Sequence, residues 1–170
     1  MNDTQTGVRV ELAREGSANV ATGLPVLDHL IGELAETARF KLSLEVEPES
    51  ADEAVAAAGR ALGLALGDRI AAGSGRGWAH LPADEALASA ALDRDDEPRF
   101  VSNVDFSDQR VGGLATDVAA RFLEALALAA GVNLHVRLLE GTDPQHVLSA
   151  IFKAVGAALG QACRPAPPDA

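Results

Sequence analysis

The stretch Phe40-Lys41-Leu42-Ser43-Leu44-Glu45-Val46-Glu47 alternates apolar and polar side chains without a break, as a strand with one buried face does. A second stretch, Val132-Asn133-Leu134-His135-Val136-Arg137-Leu138-Leu139, repeats that pattern up to its last residue. Each is preceded by an alanine- and leucine-rich run of helical period, Leu27 to Ala38 in the first case and Thr116 to Ala129 in the second. Each is followed by a polar loop and another helical run, Glu53 to Leu66 and Gln145 to Leu159. The later runs end in similar strings, Ala61-Leu62-Gly63-Leu64-Ala65-Leu66-Gly67 and Val155-Gly156-Ala157-Ala158-Leu159-Gly160.

The shared order of helix, strand, loop and helix predicts an internal duplication. It sets Leu42 on Leu134 and Gly67 on Gly160, offsets of 92 and 93 residues with one residue of slack in the loop. Residues 1–164 are expected to form one domain of two similar halves, about 1–75 and 76–164, followed by a flexible Pro-rich tail over 165–170. Between the halves, Gly67-Asp68 is expected to close the first, after the helical run that ends at Leu66, and Ala71 to Gly77 to form a glycine-rich turn. Further short strands are expected over Val8 to Ala13, Ala88 to Leu92 and Asn103-Val104-Asp105-Phe106. Two helices and several strands per half predict an α+β fold with the four helices in one layer covered by sheet.

With 170 residues, 48% of them hydrophobic and 23% charged, the composition is globular. Aromatics supply only 4%, so the core must be built from aliphatic strands and closely approaching, Ala-rich helices. A net charge of −11 repels phosphate backbones and anionic membranes, which argues against nucleic-acid and membrane partners. With no apolar run of spanning length and no signal-like N-terminus, a cytoplasmic location is expected. Cys163 is the only cysteine, which excludes an intrachain disulfide and a Cys-based zinc site; near a Pro-rich tail it is expected to be inert. Gly73-Ser74-Gly75-Arg76-Gly77 lacks P-loop spacing and reads as a turn, and no nucleophile elbow is present.

Five strings in colinear order carry a more specific signal: Thr22-Gly23-Leu24-Pro25-Val26-Leu27-Asp28-His29-Leu30; Pro82-Ala83-Asp84-Glu85-Ala86-Leu87 with Ala91-Leu92-Asp93; Arg110-Val111-Gly112; Leu134-His135-Val136-Arg137-Leu138-Leu139; and His146-Val147-Leu148-Ser149-Ala150-Ile151-Phe152-Lys153-Ala154. Together they resemble the imidazoleglycerol-phosphate dehydratase family from about Thr4 to Arg164. The resemblance implies a duplicated α+β fold with a four-helix layer between two four-stranded mixed sheets, and symmetric trimers that associate into a 24-subunit shell. It implies removal of water from imidazoleglycerol phosphate in histidine biosynthesis, using two manganese ions. These are held mainly by two His-His-x-x-Glu motifs, one at the start of each later helix. Adjacent histidines diverge to two metals while a glutamate one turn on returns to the same face.

This sequence departs from the family at those positions. The first motif falls on Asp52-Glu53-Ala54-Val55-Ala56 and the second on Gln145-His146-Val147-Leu148-Ser149, leaving one of the four motif histidines and neither glutamate. A further family histidine falls on Thr37 and an N-terminal glutamate on Gln5, while His29 survives. His29 and His146 are the residual metal candidates, with Asp52 and Glu53 as hard oxygen donors or, on the blander account, acidic residues opening a helix. On the phosphate side the resemblance assigns Arg110 and Lys153; surface or intersubunit ion pairs explain these two cations equally well. A third family arginine falls near Gly75, beside Arg76, and the family's closing Ser-Thr-Lys-Gly segment is missing. His135 is expected to be packed or interfacial, and His80 to lie near a turn beside Trp78.

Two functions follow. The first is a catalytically inactive homologue that keeps fold and assembly and acts as a binding or assembly subunit, with no cofactor. Its partners would be copies of itself in a trimer, a phosphorylated small molecule, or an active dehydratase chain with which it co-assembles. The second is an active dehydratase or lyase on imidazoleglycerol phosphate or a related phosphorylated substrate, with manganese at an altered site built from His29, His146, Asp52 and Glu53. Proton abstraction beside an imidazole needs a strong electrophile, which the ligand losses remove.

Overall fold

The computed structural model describes residues 5–47, 50–105, 110–111 and 114–166. In chain order the elements are β1 (Gln5–Leu12), β2 (Ser17–Ala21), α1 (Pro25–Ala38), β3 (Phe40–Glu47), α2 (Ala51–Ala72), β4 (Arg76–Ala83), β5 (Ala86–Arg94), β6 (Arg99–Ser102), β7 (Arg110–Val111), β8 (Leu114–Ala115), α3 (Thr116–Ala130), β9 (Val132–Glu140) and α4 (Pro144–Ala162).

The two alternating stretches are the organising strands. In β3 the side chains of Phe40, Leu42, Leu44 and Val46 are buried and those between them exposed. Strand β1 runs antiparallel to β3 and β2 parallel to it on the other side. Strand β9 repeats this arrangement, with β5 antiparallel on one side and β6 parallel on the other. Leu42 therefore pairs with Val10 and Ala18 as Leu134 pairs with Leu92 and Phe100. The sheets are mixed, with orders β1-β3-β2 and β4-β5-β9-β6. Among the described residues the first has three strands where the resemblance implies four, because only the second half supplies an outer strand, β4. A short hairpin, β7-β8, stands apart.

Each sheet buries one face against its own helices, α1 and α2 on the first sheet and α3 and α4 on the second. Helix α1 packs on α4 and α2 on α3, so the helical face of each half is closed by the other. The approach is close because glycine stands at the crossings. A Cβ on Gly63 would sit 2.5 Å from Leu126 O in α3, and one on Gly156 would strike Leu34 O in α1. The equivalent crossings thus use Gly63 against Leu126 and Gly156 against Leu34. Phe40, Phe122 and Phe152 are the largest fully buried side chains, and the rings of Phe122 and Phe152 stack at 5.7 Å.

Several expectations are corrected. Helix α2 runs past Gly67 to Ala72, since Ile70 still points into the core and Gly67 stands where the end of α3 comes near. The strand expected from Asn103 lies earlier, at β6. The Asn103 amide continues the ladder in place of backbone, accepting from Leu138 N at 2.8 Å and donating to Leu138 O. Phe106 lies outside the described residues. His80 is in strand β4 and not at a turn, its ring edge-on to Trp78. Cys163 is buried at the end of α4, and burial pushes its thiol up to about 11, which leaves it inert at neutral pH. No helix among the described residues is long and apolar enough to cross a membrane.

Candidate functional site

The fold brings the starts of α2 and α4 out of the core, with polar caps satisfying their first amides. Ser50 accepts from Glu53 N, and Asp143 accepts from Gln145 N at 2.9 Å and His146 N at 3.2 Å. Asp52 and Glu53 sit in the first turn of α2. The Asp52 carboxylate is engaged by Arg121 of α3, 2.7 Å from Nη1, and the same guanidinium reaches Asp117 at 3.8 Å. Ala56, at the position of the first motif's glutamate, has no donor atom.

His146 is held on both ring nitrogens by carboxylates from the β4–β5 turn. Nδ1 lies 2.6 Å from Glu85 Oε2, Nε2 lies 3.3 Å from Asp84 Oδ2, and Asp143 stands at 4.0 Å. The hydrogen bond to Glu85 raises the His146 pKa above its ordinary 6.5, with further help from the nearby carboxylate charges. Glu85 is lowered, first by its own backbone amide and then by His146. Its other oxygen accepts from Asp143 N, tying the turn to the helix cap.

His29 occupies a different setting. Leu27 is buried and Asp28 accepts from Thr22 N at 2.9 Å, which fixes the turn into α1 and leaves the His29 side chain 70% exposed. Its Nε2 lies 3.0 Å from Glu33 Oε1, one turn along the helix. Glu33 is only 11% exposed and reaches across to α4. There its Oε2 accepts from the Ser149 hydroxyl and faces Lys153 Nζ at 3.6 Å. Thr37 donates to Lys153 O at 2.7 Å and fastens the same seam.

His29 therefore pairs with Glu33, and His146 with Glu85 and Asp84. Among the described residues, no group of three or more His, Cys, Asp or Glu side chains is arranged to hold a metal ion. Arg110 begins β7, and its side chain, like that of Gln5, lies outside the described residues. His135 is exposed on the outward face of β9, between Ala91 and Val101, and is not packed within the chain. Sequence reasoning missed Glu33 and Glu85. The first carried a signal, since it stands four residues after His29 on one helix face. The second lies in one of the strings shared with the family, but nothing marked it as the partner of His146, 61 residues away.

The residues present do not fit the two-manganese centre that the family resemblance implies. Two octahedral ions need a set of imidazole and carboxylate donors. The motif positions instead hold Asp52 (paired with Arg121), Glu53, Ala56, Gln145, His146 (held by Glu85 and Asp84) and Ser149 (bonded to Glu33), so one imidazole stands where the motifs supply four.

Residues 22–159 match the family model for imidazoleglycerol-phosphate dehydratase. The chain is 35% identical over 173 aligned positions to the imidazoleglycerol-phosphate dehydratase of Cereibacter sphaeroides, with 97% of this chain and 88% of that protein covered. It is 36% identical over 164 positions to the histidine biosynthesis bifunctional protein HisB of Stenotrophomonas maltophilia, with 92% of this chain covered, and spans only 45% of that longer relative. The crystal structure of imidazoleglycerol-phosphate dehydratase from Staphylococcus aureus superposes with a TM-score of 0.85 at 25% identity, covering 95% of each chain.

Proposed function

Since the chain belongs to the imidazoleglycerol-phosphate dehydratase family, we propose that it is a catalytically inactive homologue that keeps the fold and serves as a binding or assembly subunit. One observation carries this reading: of the six ligating side chains in the family's two motifs only the histidine at position 146 remains, and its ring is held by Glu85 and Asp84. Asp52 is paired with Arg121, Ala56 has nothing to offer, and Ser149 is hydrogen-bonded to Glu33. The dehydration needs an electrophile to stabilise the anion formed beside the imidazole, and His29 and His146 alone do not supply it.

The same reading takes the cytoplasm as the location and a trimer as the assembly. It leaves Arg110 and Lys153 as the residues that would meet the phosphate of a small ligand. The alternative is a lyase with an altered metal set. Elemental analysis of the purified protein, together with a dehydratase assay in added manganese, decides between them. The expected result is substoichiometric metal and no turnover. Stoichiometric manganese with turnover that disappears in His146→Ala would overturn the proposal.

A further inference from the structure

The duplication supplies an internal control at the ends of the helices. By the offsets of 92 and 93 residues, Arg39 stands on Gly131, Gln161 on Asp68 and Arg164 on Ala71. Each set lines a groove. The groove that holds Gly131, Asp68 and Ala71 adds Asp95 and Asp96, with Arg94 as its one cation. The groove that holds Arg39, Gln161 and Arg164 adds Arg76 and Trp78 and has no carboxylate in its lining. In a chain of net charge −11, three guanidiniums around one groove of about 540 Å³ reverse the local sign.

The fold does not require these cations. Arg39 holds φ 56°, in the left-handed region, where the other half has Gly131 at φ 73°, and glycine is the less strained residue there. Among the described residues none of the three arginines is in an ion pair, although Asp93 stands opposite Arg76 in the ladder. Arg164 donates to Ala38 O, Arg39 O, Gly160 O and Ala13 O at 2.8–3.1 Å. These bonds satisfy carbonyls at the ends of α1 and α4, whose partial negative charge would otherwise repel an anion. Arg39 and Arg76 are exposed, and their guanidiniums make no hydrogen bond among the described residues. Trp78 is 59% exposed yet held in place. Gln161 accepts from Trp78 N at 3.0 Å and donates to Trp78 O at 2.9 Å, and His80 braces the indole edge-on at 4.5 Å.

We propose that this groove binds a small organic anion whose carboxylate is attached to a flat ring, with the carboxylate meeting Arg39 and Arg76 and the ring lying against Trp78 and Pro165. A guanidinium fork matches a carboxylate in charge-assisted hydrogen bonds, and no acidic side chain in the lining competes for it. The indole face and Pro165 take a flat apolar ring. A compact anion such as phosphate reaches the arginines but leaves that apolar wall wet. The family resemblance gives no role to Arg39, Trp78, Gln161 or Arg164. Gln161 lies fifteen residues beyond His146 on α4, roughly 22 Å along the helix, so the inference does not rest on the reading of the motif positions.

Trp78 is the chain's only tryptophan, so its indole N–H gives one NMR resonance that reports on the groove directly. Titration of the full chain with naphthalene-2-carboxylate should move that resonance to saturation, with a Kd on the order of 1 mM or tighter. Acetate, which lacks the ring, naphthalene-2-methanol, which lacks the charge, and inorganic phosphate should each bind at least about tenfold more weakly. Arg39→Gly installs the residue that the other half uses. It should melt no lower than the wild type and still lose affinity for the naphthoate on the order of tenfold. Arg76→Gln should lose as much. The inference is overturned by the absence of a saturable shift, by equal binding of any of the three control compounds, by full affinity in either arginine variant, or by an Arg39→Gly chain that melts lower. None of these results bears on the non-catalytic reading, which metal content and turnover decide.

Discussion

His146 joins two elements through opposite nitrogens, so its protonation state is coupled to the β4–β5 turn. Its raised pKa means that the folded state holds the proton more tightly than the unfolded one. This contribution is complete below the ordinary value of 6.5 and is lost as pH rises through the folded value. Glu85 has the opposite sign. Its lowered pKa contributes above the ordinary 4.5 and is lost as pH falls through the folded value. The pair therefore contributes most between about 4.5 and 6.5 and weakens toward neutral pH. Titration of the His146 ring by NMR should give a pKa above 6.5 in the wild type. Glu85→Gln should bring that pKa down, since the largest single cause of the shift is removed. A pKa indifferent to Glu85→Gln would mean that the 2.6 Å contact does not hold in solution. Nothing in the linear sequence marks this pairing, because its members are brought together only when β4 and β5 turn back beside α4.

Elements were legible in the sequence where one face is buried and the other wet. The period of β3 and β9 is visible because each has helices on one side and solvent on the other, and α1 and α3 show their apolar stripes for the same reason. Strand β2 was not legible: Ser17 to Ala21 is exposed at nearly every position and is held as a strand by its parallel pairing to β3. Gly67 of α2 misled for a different reason. Glycine is the usual signal of a helix end, but Gly67 lies within α2 and faces Ala130 O of α3, one turn beyond Gly63, which is there for the crossing with α3, where even one methyl group meets backbone. Helix propensity and packing therefore act in opposite directions at two glycines. Gly32, in the interior of α1, has open space around the position of a Cβ, so Gly32→Ala should stabilise by roughly 0.5–1 kcal/mol. Gly63→Ala gains the same propensity but must part α2 from α3, for a net loss of roughly 1–3 kcal/mol. At about 2–4 °C per kcal/mol for a chain of this size, thermal melts should move in opposite directions. Two melts that both rise would show that the α2–α3 crossing relaxes at little cost.

For the whole molecule the contest is between apolar contacts that need no ion and a charge of −11 on every chain. Repulsion between like-charged chains grows with the number brought together and is screened by salt, with a range of about 10 Å at 0.1 M and 3 Å at 1 M. In the family the resemblance points to, ions ligated by different subunits join trimers into a shell, and an ion shared across an interface contributes binding energy that protein contacts must otherwise supply. Here two of the groups at the motif positions are satisfied inside their own chain, Asp52 by Arg121 and Ser149 by Glu33, so neither of these is left to share an ion. Large apolar side chains do remain exposed on the single chain, among them Leu64 on α2 and Leu128 on α3. Contacts of that kind hold without metal and suit a small assembly. A trimer is therefore the expected dominant species near neutral pH at moderate salt, with the same mass before and after manganese is added. Light scattering decides it. Growth toward larger species in 1 M salt would identify charge as the restraint. A mass near 24 chains in chelator-treated buffer at moderate salt would show that protein contacts alone overcome the repulsion, and that the lost ligands were not needed for the shell.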